Sequence, residues 1–203
     1  MIIKTIVTGS IAENCYLVWC EKSRTLHIID PGADPENIIA AAGELDYDRA
    51  EILLTHGHID HISAAGAVAK ALAVPSIRIA AGDRFLLGNP ANSFYPDYPT
   101  ARDLPPAEDF SADGDYQVLE LPGHSPGGSG FLFEENGERA LFTGDTIFSN
   151  SIGRSDLWGG DGEALLRSIR ERILPLEDSL RLYPGHGPTT TVGIERKYNP
   201  WLR

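Results

Sequence analysis

The hydrophobic positions of the N-terminal half fall in short runs separated by turn residues. Runs of four to eight residues that are rich in β-branched and aromatic side chains predict β-strands. A helix is predicted over 35–45, after the turn sequence "DPG" at 30–32. The predicted strands of this half are 2–7, 15–20, 25–30, 51–55 and 76–80.

The pattern changes to a helical period after residue 60. Ile62, Ala65 and Ala69 recur at intervals of three and four residues, the spacing at which side chains share one face of an α-helix. A helix over 60–72 is therefore predicted to follow the strand 51–55 after a tight loop.

The C-terminal half repeats the order of strands followed by helices. Leu165, Ile169 and Ile173 mark one face of a helical segment. Two similar halves of this kind favour an α+β domain over 1–203, built in layers with sheets inside and helices outside. The predicted elements of this half are the strands 116–121, 129–135, 139–144 and 179–185 and the helices 162–174 and 190–198.

Residues 88–115 interrupt this pattern with an irregular insertion rich in proline and aromatic side chains. A long loop in a compact domain is usually a lid or a binding loop, although a passive surface excursion remains an alternative. The residues that mark the insertion are Pro90, Phe94, Tyr95, Pro96, Tyr98, Pro99, Pro105 and Pro106.

The net charge and the N-terminal sequence limit the kinds of binding partner, and the cellular compartment, that are expected. A formal net charge of −12 over 203 residues argues against broad binding to nucleic acid or to an anionic membrane. The N-terminus has no apolar segment followed by a cleavage site, so a cytoplasmic location is expected. Cys15 and Cys20 have an odd spacing in one predicted strand, which places them on opposite faces and disfavours a disulfide between them.

Five of the six histidines lie just after apolar runs, in short segments that contain glycine. The stretch "THGHIDH" at 55–61 holds three of them, and two aspartates share the same kind of position. His27 lies inside a strand and is expected to be a structural side chain. The candidate site residues are His56, His58, Asp60, His61, His124, Asp145 and His186.

These side chains predict a metal site. Imidazole is the commonest metal-ligating side chain, and seven ligands are too many for one tetrahedral ion. They suit two ions about 3.5–4 Å apart that share a carboxylate and a water. The cofactor prediction is two divalent ions, zinc being preferred and iron or manganese being alternatives; a set of caps, turn residues and core histidines is the non-metal interpretation.

The motifs resemble those of the metallo-β-lactamase fold superfamily. "THGHIDH" is similar to its T-H-x-H-x-D-H signature, and "IIDPG", "PGHS", "TGDT" and "PGHG" come in the order of that superfamily. "AENCYLV", "SIGRSDL" and "ERKYNPW" resemble the short, single-domain members of its glyoxalase II (hydroxyacylglutathione hydrolase) branch. The resemblance implies a four-layer αββα sandwich with the site at one edge.

The resemblance also implies a role for each candidate residue. Asp30 and Thr55 are expected to orient ligands, and Asp60 and Asp145 are the candidate catalytic residues, each a possible proton acceptor. The implied ligands are His56, His58 and His124 for the first metal, Asp60, His61 and His186 for the second, and Asp145 as the bridge.

Several further residues lie in the motif loops or near the end of the chain. Full glyoxalase II enzymes use an extra C-terminal helical domain to help hold glutathione, and the sequence here ends at Arg203. Arg154 and Asp156 have two interpretations, a pocket wall or a structural ion pair. The other pocket candidates are Ser125 and Ser155, and the cations that could replace the extra domain are Arg154, Arg196, Lys197 and Arg203.

The implied reaction is hydrolysis of S-acyl-glutathione or a similar small-molecule thioester by metal-activated water. Two alternatives of other classes remain: a persulfide dioxygenase with one iron, and a metal-binding module without catalysis. Other hydrolases of this fold act on lactones, β-lactams or phosphodiesters; the negative charge disfavours nucleic-acid cleavage, and the N-terminus disfavours a secreted antibiotic-degrading enzyme.

Overall fold

Two β-sheets form the centre of the molecule. This computed structural model describes residues 1–93, 98, 100–112 and 114–203. One sheet has six strands in the order β1-β2-β3-β4-β5-β6, and the other has five in the order β13-β12-β9-β8-β7. The strands are β1 (Ile2–Thr8), β2 (Glu13–Cys20), β3 (Thr25–Ile29), β4 (Arg49–Leu53), β5 (Ile77–Arg78), β6 (Ala107–Glu108), β7 (Tyr116–Glu120), β8 (Ser129–Glu135), β9 (Glu138–Gly144), β10 (Ile147–Phe148), β11 (Ser151–Ile152), β12 (Arg181–Pro184) and β13 (Thr190–Thr191).

The alternation along each strand sorts side chains between the two faces of its sheet. In β2, Tyr16, Val18 and Cys20 face the other sheet, whereas Cys15 and Leu17 belong to the core beneath the helices. The two cysteines are free and lie on opposite faces, as their spacing predicted. An aromatic core fills the space between the sheets, with Phe131, Phe133 and Phe142 from the second sheet.

Helices cover the outer face of each sheet. Ile38 and Val68 pack onto the first sheet, and Leu165, Ile169 and Val192 pack onto the second. The predicted four-layer αββα sandwich is confirmed. The helices are α1 (Pro35–Ala42), α2 (Ile59–Ile62), α3 (Ala65–Ala71), α4 (Gly162–Ser168) and α5 (Val192–Tyr198), with a π-helix at Ile169–Ile173 and 3₁₀ helices at Ala81–Leu86 and Pro200–Leu202.

The helix predicted over 60–72 is divided. The Ala64 N–H donates to the carbonyl of Pro31 at 3.0 Å instead of to its own helix. α2 therefore ends at Ile62 and α3 begins at Ala65. The hydrophobic spacing was correct, but it could not show that one amide would bond outside the helix.

The two C-terminal helix predictions also need correction. The segment 162–174 is helical, but its second half is a π-helix, in which the Leu174 N–H donates to the Ile169 carbonyl. The segment 190–198 begins as strand β13, and its helix begins only after Thr191, whose side chain accepts a hydrogen bond from the Ile194 N–H. Such N-terminal caps satisfy amides that have no partner in the helix.

The insertion 88–115 adds strand β6 to the edge of the first sheet, beside β5. The predicted strand 76–80 is regular only at Ile77–Arg78. Short strands β10 and β11 form a hairpin that the sequence pattern did not predict. Of the insertion's predicted markers, Phe94, Tyr95, Pro96 and Pro99 lie outside the described residues.

No helix in the described part of the chain is long and apolar enough to cross a lipid bilayer.

The two sheets are joined at one edge by β2 and the end of β12. The Asn14 N–H donates to the Gly185 carbonyl at 2.7 Å, and the Asn14 side-chain amide donates to the carbonyls of Pro184 and Gly187. The Tyr16 hydroxyl also donates to Pro184, at 2.6 Å. These bonds fix the turn that carries His186 against the first sheet.

Candidate metal centre

The loops that follow β4, β7, β9 and β12 converge at this edge. They bring together all of the predicted ligands, although these lie as far apart in the sequence as His56 and His186. His56, His58 and His61 are buried, and His186 is partly exposed. Five imidazoles and two carboxylates therefore occupy one polar site at the end of an otherwise apolar sandwich.

His56, His58 and His124 form the first group of donors. His124 Nε2 lies 2.8 Å from His58 Nδ1 and 3.2 Å from His56 Nε2. The three rings meet nearly edge to face, so their nitrogens point to a common centre. Three imidazole nitrogens in this arrangement are a suitable ligand set for zinc or a related transition metal.

Asp60, His61 and His186 form the second group. Asp60 Oδ2 lies 3.2 Å from His186 Nε2 and 3.5 Å from His61 Nε2. The two groups adjoin one another, since the rings of His56 and His61 have centroids 4.1 Å apart.

Asp145 lies between the two groups. Its Oδ2 is 3.6 Å from His124 Nε2 and 3.7 Å from His186 Nε2, and its Oδ1 is 3.4 Å from His61 Nε2. One carboxylate thus faces donors of both groups, the position required of a bridging ligand.

Two buried atoms support a cation in this site. His61 Nε2 and Asp145 Oδ1 have no hydrogen-bond partner among the described residues. A buried polar atom without a partner is costly, and a bound cation would satisfy both atoms at once. The donor set and its unpaired atoms therefore fit a pair of metal ions.

The outer nitrogen of most of these rings is held by an oxygen. His124 Nδ1 donates to the Arg154 carbonyl at 2.7 Å, and His186 Nδ1 lies 3.3 Å from the Ile11 carbonyl. His56 Nδ1 lies 3.0 Å from the Thr55 hydroxyl. A hydrogen bond on one nitrogen leaves the lone pair of the other free to face the centre.

Asp30, at the end of β3, forms hydrogen bonds with both Thr55 and His61. Its Oδ1 accepts from the Thr55 N–H at 2.7 Å, and its Oδ2 accepts from the Thr55 hydroxyl. Asp30 Oδ2 also lies 3.0 Å from His61 Nδ1. The structure thus places both residues that were expected to orient ligands in direct contact with His56 or His61.

Burial favours the neutral form of His56 and His58. Burial, assisted by the neighbouring imidazoles, lowers the pKa of His58 to about 4. The same causes hold the pKa of His56 well below its ordinary value. A neutral imidazole is the form that binds metal.

The carboxylates give the rest of the site a negative potential. Burial opposes the ionisation of Asp145, yet the imidazole of His61, with those of His124 and His186, lowers the pKa of that carboxyl. Burial by itself lowers the pKa of His61, but Asp145 and Asp60 raise it well above its ordinary value. Opposed shifts of this kind mark a position that favours a cation.

Glycine allows the backbone to come this close to the ligands. A Cβ on Gly185 would collide with Asp145 Oδ1 and would lie 2.7 Å from His61 Cε1. A Cβ on Gly153 would collide with the Asp145 carbonyl. The structure therefore has no room for a side chain at Gly153 or Gly185.

The structure adds buried polar residues that the sequence did not reveal. Asp83 accepts from the Gly57 N–H at 2.9 Å and from the Gly127 N–H at 2.5 Å. Asn92 donates to the Gly57 carbonyl and accepts from the Ile59 N–H. Glu13 accepts from Thr8, and its Oε1 lies 3.8 Å from His61 Nδ1. No sequence motif marks Asp83 or Asn92, since each acts through contacts that depend on the fold. Glu13 lies in the stretch "AENCYLV", whose resemblance assigned it no role.

The predicted pocket residues divide into different environments. Arg154 forms a two-pronged ion pair with Asp156, at 2.7 and 2.9 Å, and both are exposed. Ser125 is fully buried beside His124, and Ser155 is partly buried.

The predicted C-terminal cations make contacts of their own. Arg196 bonds Asp178 and the carbonyls of Leu174 and Leu176. The Lys197 ammonium lies 4.8 Å from the centre of the Tyr198 ring, and Arg203 reaches the Lys197 carbonyl. Arg196 is thus occupied by the second sheet's helical layer, so the structure gives it no part in holding a substrate.

A cavity of about 110 Å³ opens beside His58. Leu86, Leu157 and Trp158 give it apolar walls, and Asn92 and Ser93 add an amide and a hydroxyl. A largely apolar cleft with a few polar groups next to perturbed histidines is the usual form of a small-molecule site.

Comparisons with known proteins agree with this geometry. A hydroxyacylglutathione hydrolase, GloC of Haemophilus influenzae, is 36% identical over 100% of this chain and 98% of its own length. The crystal structure of BLEG-1 B3 metallo-beta-lactamase is 34% identical, with a TM-score of 0.85, and covers 99% of both chains. The di-iron-bound form of TTHA1623 is 35% identical, with a TM-score of 0.85, and covers 98% of this chain and 100% of that one.

The family model described as "Metallo-beta-lactamase superfamily" matches residues 9–186, a range that includes every candidate ligand. The match, the relatives and the cluster of histidines and aspartates agree on a metallo-hydrolase. This chain belongs to the metallo-beta-lactamase superfamily.

Proposed function

We propose that this protein is a two-metal thioesterase that hydrolyses S-acyl-glutathione or a similar acyl thioester. The observation that carries the proposal is the pair of donor groups that share Asp145 beside an apolar cavity. The 36% identical relative named hydroxyacylglutathione hydrolase GloC supports the choice of thioester among the substrates of this fold.

The ligands would divide as the two groups do. His56, His58 and His124 would hold one ion, and Asp145 would bridge to the other. When bound, the ions supply Lewis acidity and a water that ionises near neutral pH. Zinc is the metal we propose; the di-iron form of a relative keeps iron as the alternative.

The chain's own residues hold the ligands and the substrate in place. Asp30 and Thr55 fix the rings of His61 and His56 through their outer nitrogens. Asp60, 5% exposed, and the more open Asp145 are the carboxylates positioned to accept a proton during hydrolysis. The walls formed by Leu157 and Trp158 would bind the apolar part of the thioester.

The structure bears on the two alternatives differently. Asp60, His61 and His186 form a complete second group here, as two ions would need, but a one-iron dioxygenase can carry the same residues, so the metal content separates these two functions. A metal-binding module without catalysis has no need of a cavity, yet one opens directly beside His58.

Hydrolysis of S-lactoylglutathione by the metal-loaded protein tests the proposal. We expect turnover by the wild type, and a loss of more than about 100-fold in Asp145→Asn, because the bridging carboxylate is lost. Asp46→Asn is the matched control, since the Asp46 side chain is 90% exposed and pairs with Arg24 on the surface. Metal content of each variant is measured alongside.

The results separate the possible functions. Hydrolysis of a thioester carried on another thiol, but not on glutathione, would keep the reaction and change the carrier. A protein that holds two ions per chain but cleaves no thioester would overturn the proposal. One iron per chain with oxygen consumption on a persulfide would establish the dioxygenase instead.

A further inference from the structure

We propose that Cys20, His27 and Asp115 form a separate binding site for a divalent metal of the zinc class. Each offers one donor atom, and the three atoms lie within 4.8 Å of one another. His27 is near the start of β3, whereas Asp30, beside the first site, follows its end. None of the three residues belongs to the first site, so this inference does not depend on the proposed thioesterase activity.

His27 is at the centre of the group. Its side chain is 1% exposed, and Nε2 lies 2.9 Å from Asp115 Oδ2. Its Nδ1 has no hydrogen-bond partner among the described residues, although Glu51 Oε2 is 3.3 Å away. A buried imidazole with an unsatisfied nitrogen between two carboxylates is poorly explained by packing alone.

The surrounding rings hold His27 in this orientation. Tyr116 and Phe133 contact it edge-on, with centroids 5.5 and 5.1 Å from its own. Both rings come from the second sheet, whereas His27 and Cys20 come from the first. A metal held by Cys20, His27 and Asp115 would therefore join the two sheets, since Asp115 directly precedes β7.

The charges of the cluster also favour a cation. Two carboxylates, those of Glu51 and Asp115, and the Cys20 thiol surround one imidazole. His27 Nε2 lies 2.9 Å from Asp115 Oδ2, and His27 Nδ1 lies 3.3 Å from Glu51 Oε2. A divalent ion would offset the negative charge that these groups place around the ring.

Metal binding would displace protons from the ligand atoms of this site. The incoming divalent ion takes the Cys20 sulfur as thiolate and a His27 nitrogen as a neutral ligand. Any proton carried by Cys20 Sγ or by the ligating His27 nitrogen passes to solvent as the ion binds, and no redox change is involved. Thiolate, imidazole and carboxylate together are a ligand set of zinc sites.

A path to the site exists. A cavity of about 410 Å³ is lined by Cys20 and Asp115, together with Met1 and Glu135. A three-residue ligand set leaves a fourth tetrahedral position. The cavity would admit the ion and a water molecule to complete that coordination.

Cobalt(II) distinguishes this site from the first, because only this one contains sulfur. We expect the reduced, cobalt-saturated protein to show a thiolate-to-cobalt charge-transfer band in the near ultraviolet. Cys20→Ala should lose the band and bind one fewer cobalt per chain than the wild type. Cys15→Ala is the matched control, since Cys15 is an equally buried thiol on the other face of β2.

A second variant keeps the test valid if Cys20→Ala fails to fold. Asp115→Asn, at a partly exposed side chain, should need a higher cobalt concentration to give the same band. Absence of the band in wild-type protein whose first site is filled with cobalt would overturn the proposal, whatever the activity. A band that persists in Cys20→Ala and is lost in Cys15→Ala would overturn it as well.

Discussion

Asp30 has a left-handed backbone, with φ of 51°, at the end of β3. An aspartate in this region is less costly than most side chains, but glycine would be less costly still. The carboxylate is the reason for an aspartate here, since it bonds Thr55 twice and faces His61. A residue outside the ligand set thus fixes one ring of each donor group.

Asp30→Asn should lower metal affinity by about 10–100-fold while the chain still folds, because an amide cannot accept on both sides. Competition with a chromophoric chelator measures the affinity. Asp34→Asn is the matched control, as Asp34 has a similar φ of 49° and its carboxylate accepts from the Gly9 N–H, away from the candidate ligands. Equal affinity in the two variants would contradict this role of Asp30.

At the residue scale, the site residues that could be predicted are those marked by a local pattern in the sequence. Histidine after an apolar run, with glycine beside it, was visible for His124 and His186, and both lie in the site. Asp83 has no such signal, because its partners Gly57 and Gly127 are distant in the sequence. Contacts of this kind depend on the tertiary fold, so the residues that gather in the site were predictable and much of their support was not.

The 3₁₀ helix Ala81–Leu86 is the element that holds two ligand loops together. Asp83, fully buried within it, accepts one amide from the loop of His56 and His58 and another from the loop after His124. A Cβ on Gly127 would lie 2.8 Å from Asp83 Oδ1. The spacing of these two loops, and with it the first donor group, depends on this short element.

Asp83→Asn should destabilise the protein by about 1–3 kcal/mol, since one buried amide loses its acceptor. It should also weaken metal binding, because the two loops are no longer held at a fixed distance. Denaturant unfolding and metal titration measure the two effects. Asp109→Asn, at an exposed carboxylate paired with Arg84, should change neither; unchanged stability in Asp83→Asn would refute the prediction.

At the scale of elements, hydrophobic spacing predicted where helices and strands occur better than where they end. The strands 2–7, 15–20 and 129–135 match the structure within two residues at each end. The helix over 60–72 was interrupted by the bond from Ala64 to Pro31, and β6 arose within an apparently irregular segment. Hydrogen bonds to distant segments decided both exceptions.

At the scale of the whole molecule, the predicted ligands come from both sheets. His56 and His61 follow a strand of the first, whereas Asp145 and His186 follow strands of the second. A pair of ions held by these residues would stabilise the packed sandwich over any state in which the sheets separate. Binding to the folded state alone adds about 2.7 kcal/mol when the free ligand is at 100 times its dissociation constant.

Removal of metal by a chelator should therefore lower the unfolding temperature of the wild type. Differential scanning calorimetry with and without excess zinc measures the shift. Asp145→Asn provides the control, since its shift should be smaller if that carboxylate joins the two groups. An identical unfolding temperature with and without metal would show that the ions do not couple the sheets.

The hydrogen bonds between Asn14 and the turn at Gly185 have a consequence for how the two sheets dock during folding. Asn14 sets β2 against the turn that carries His186, so the strand register at one seam determines whether the last ligand reaches the others. Docking that slips by a single residue would turn side chains to the wrong face and leave the donors unable to meet. Only chains whose two sheets have docked in the correct register would then bind the metal ions, so metal binding would select the correctly folded protein.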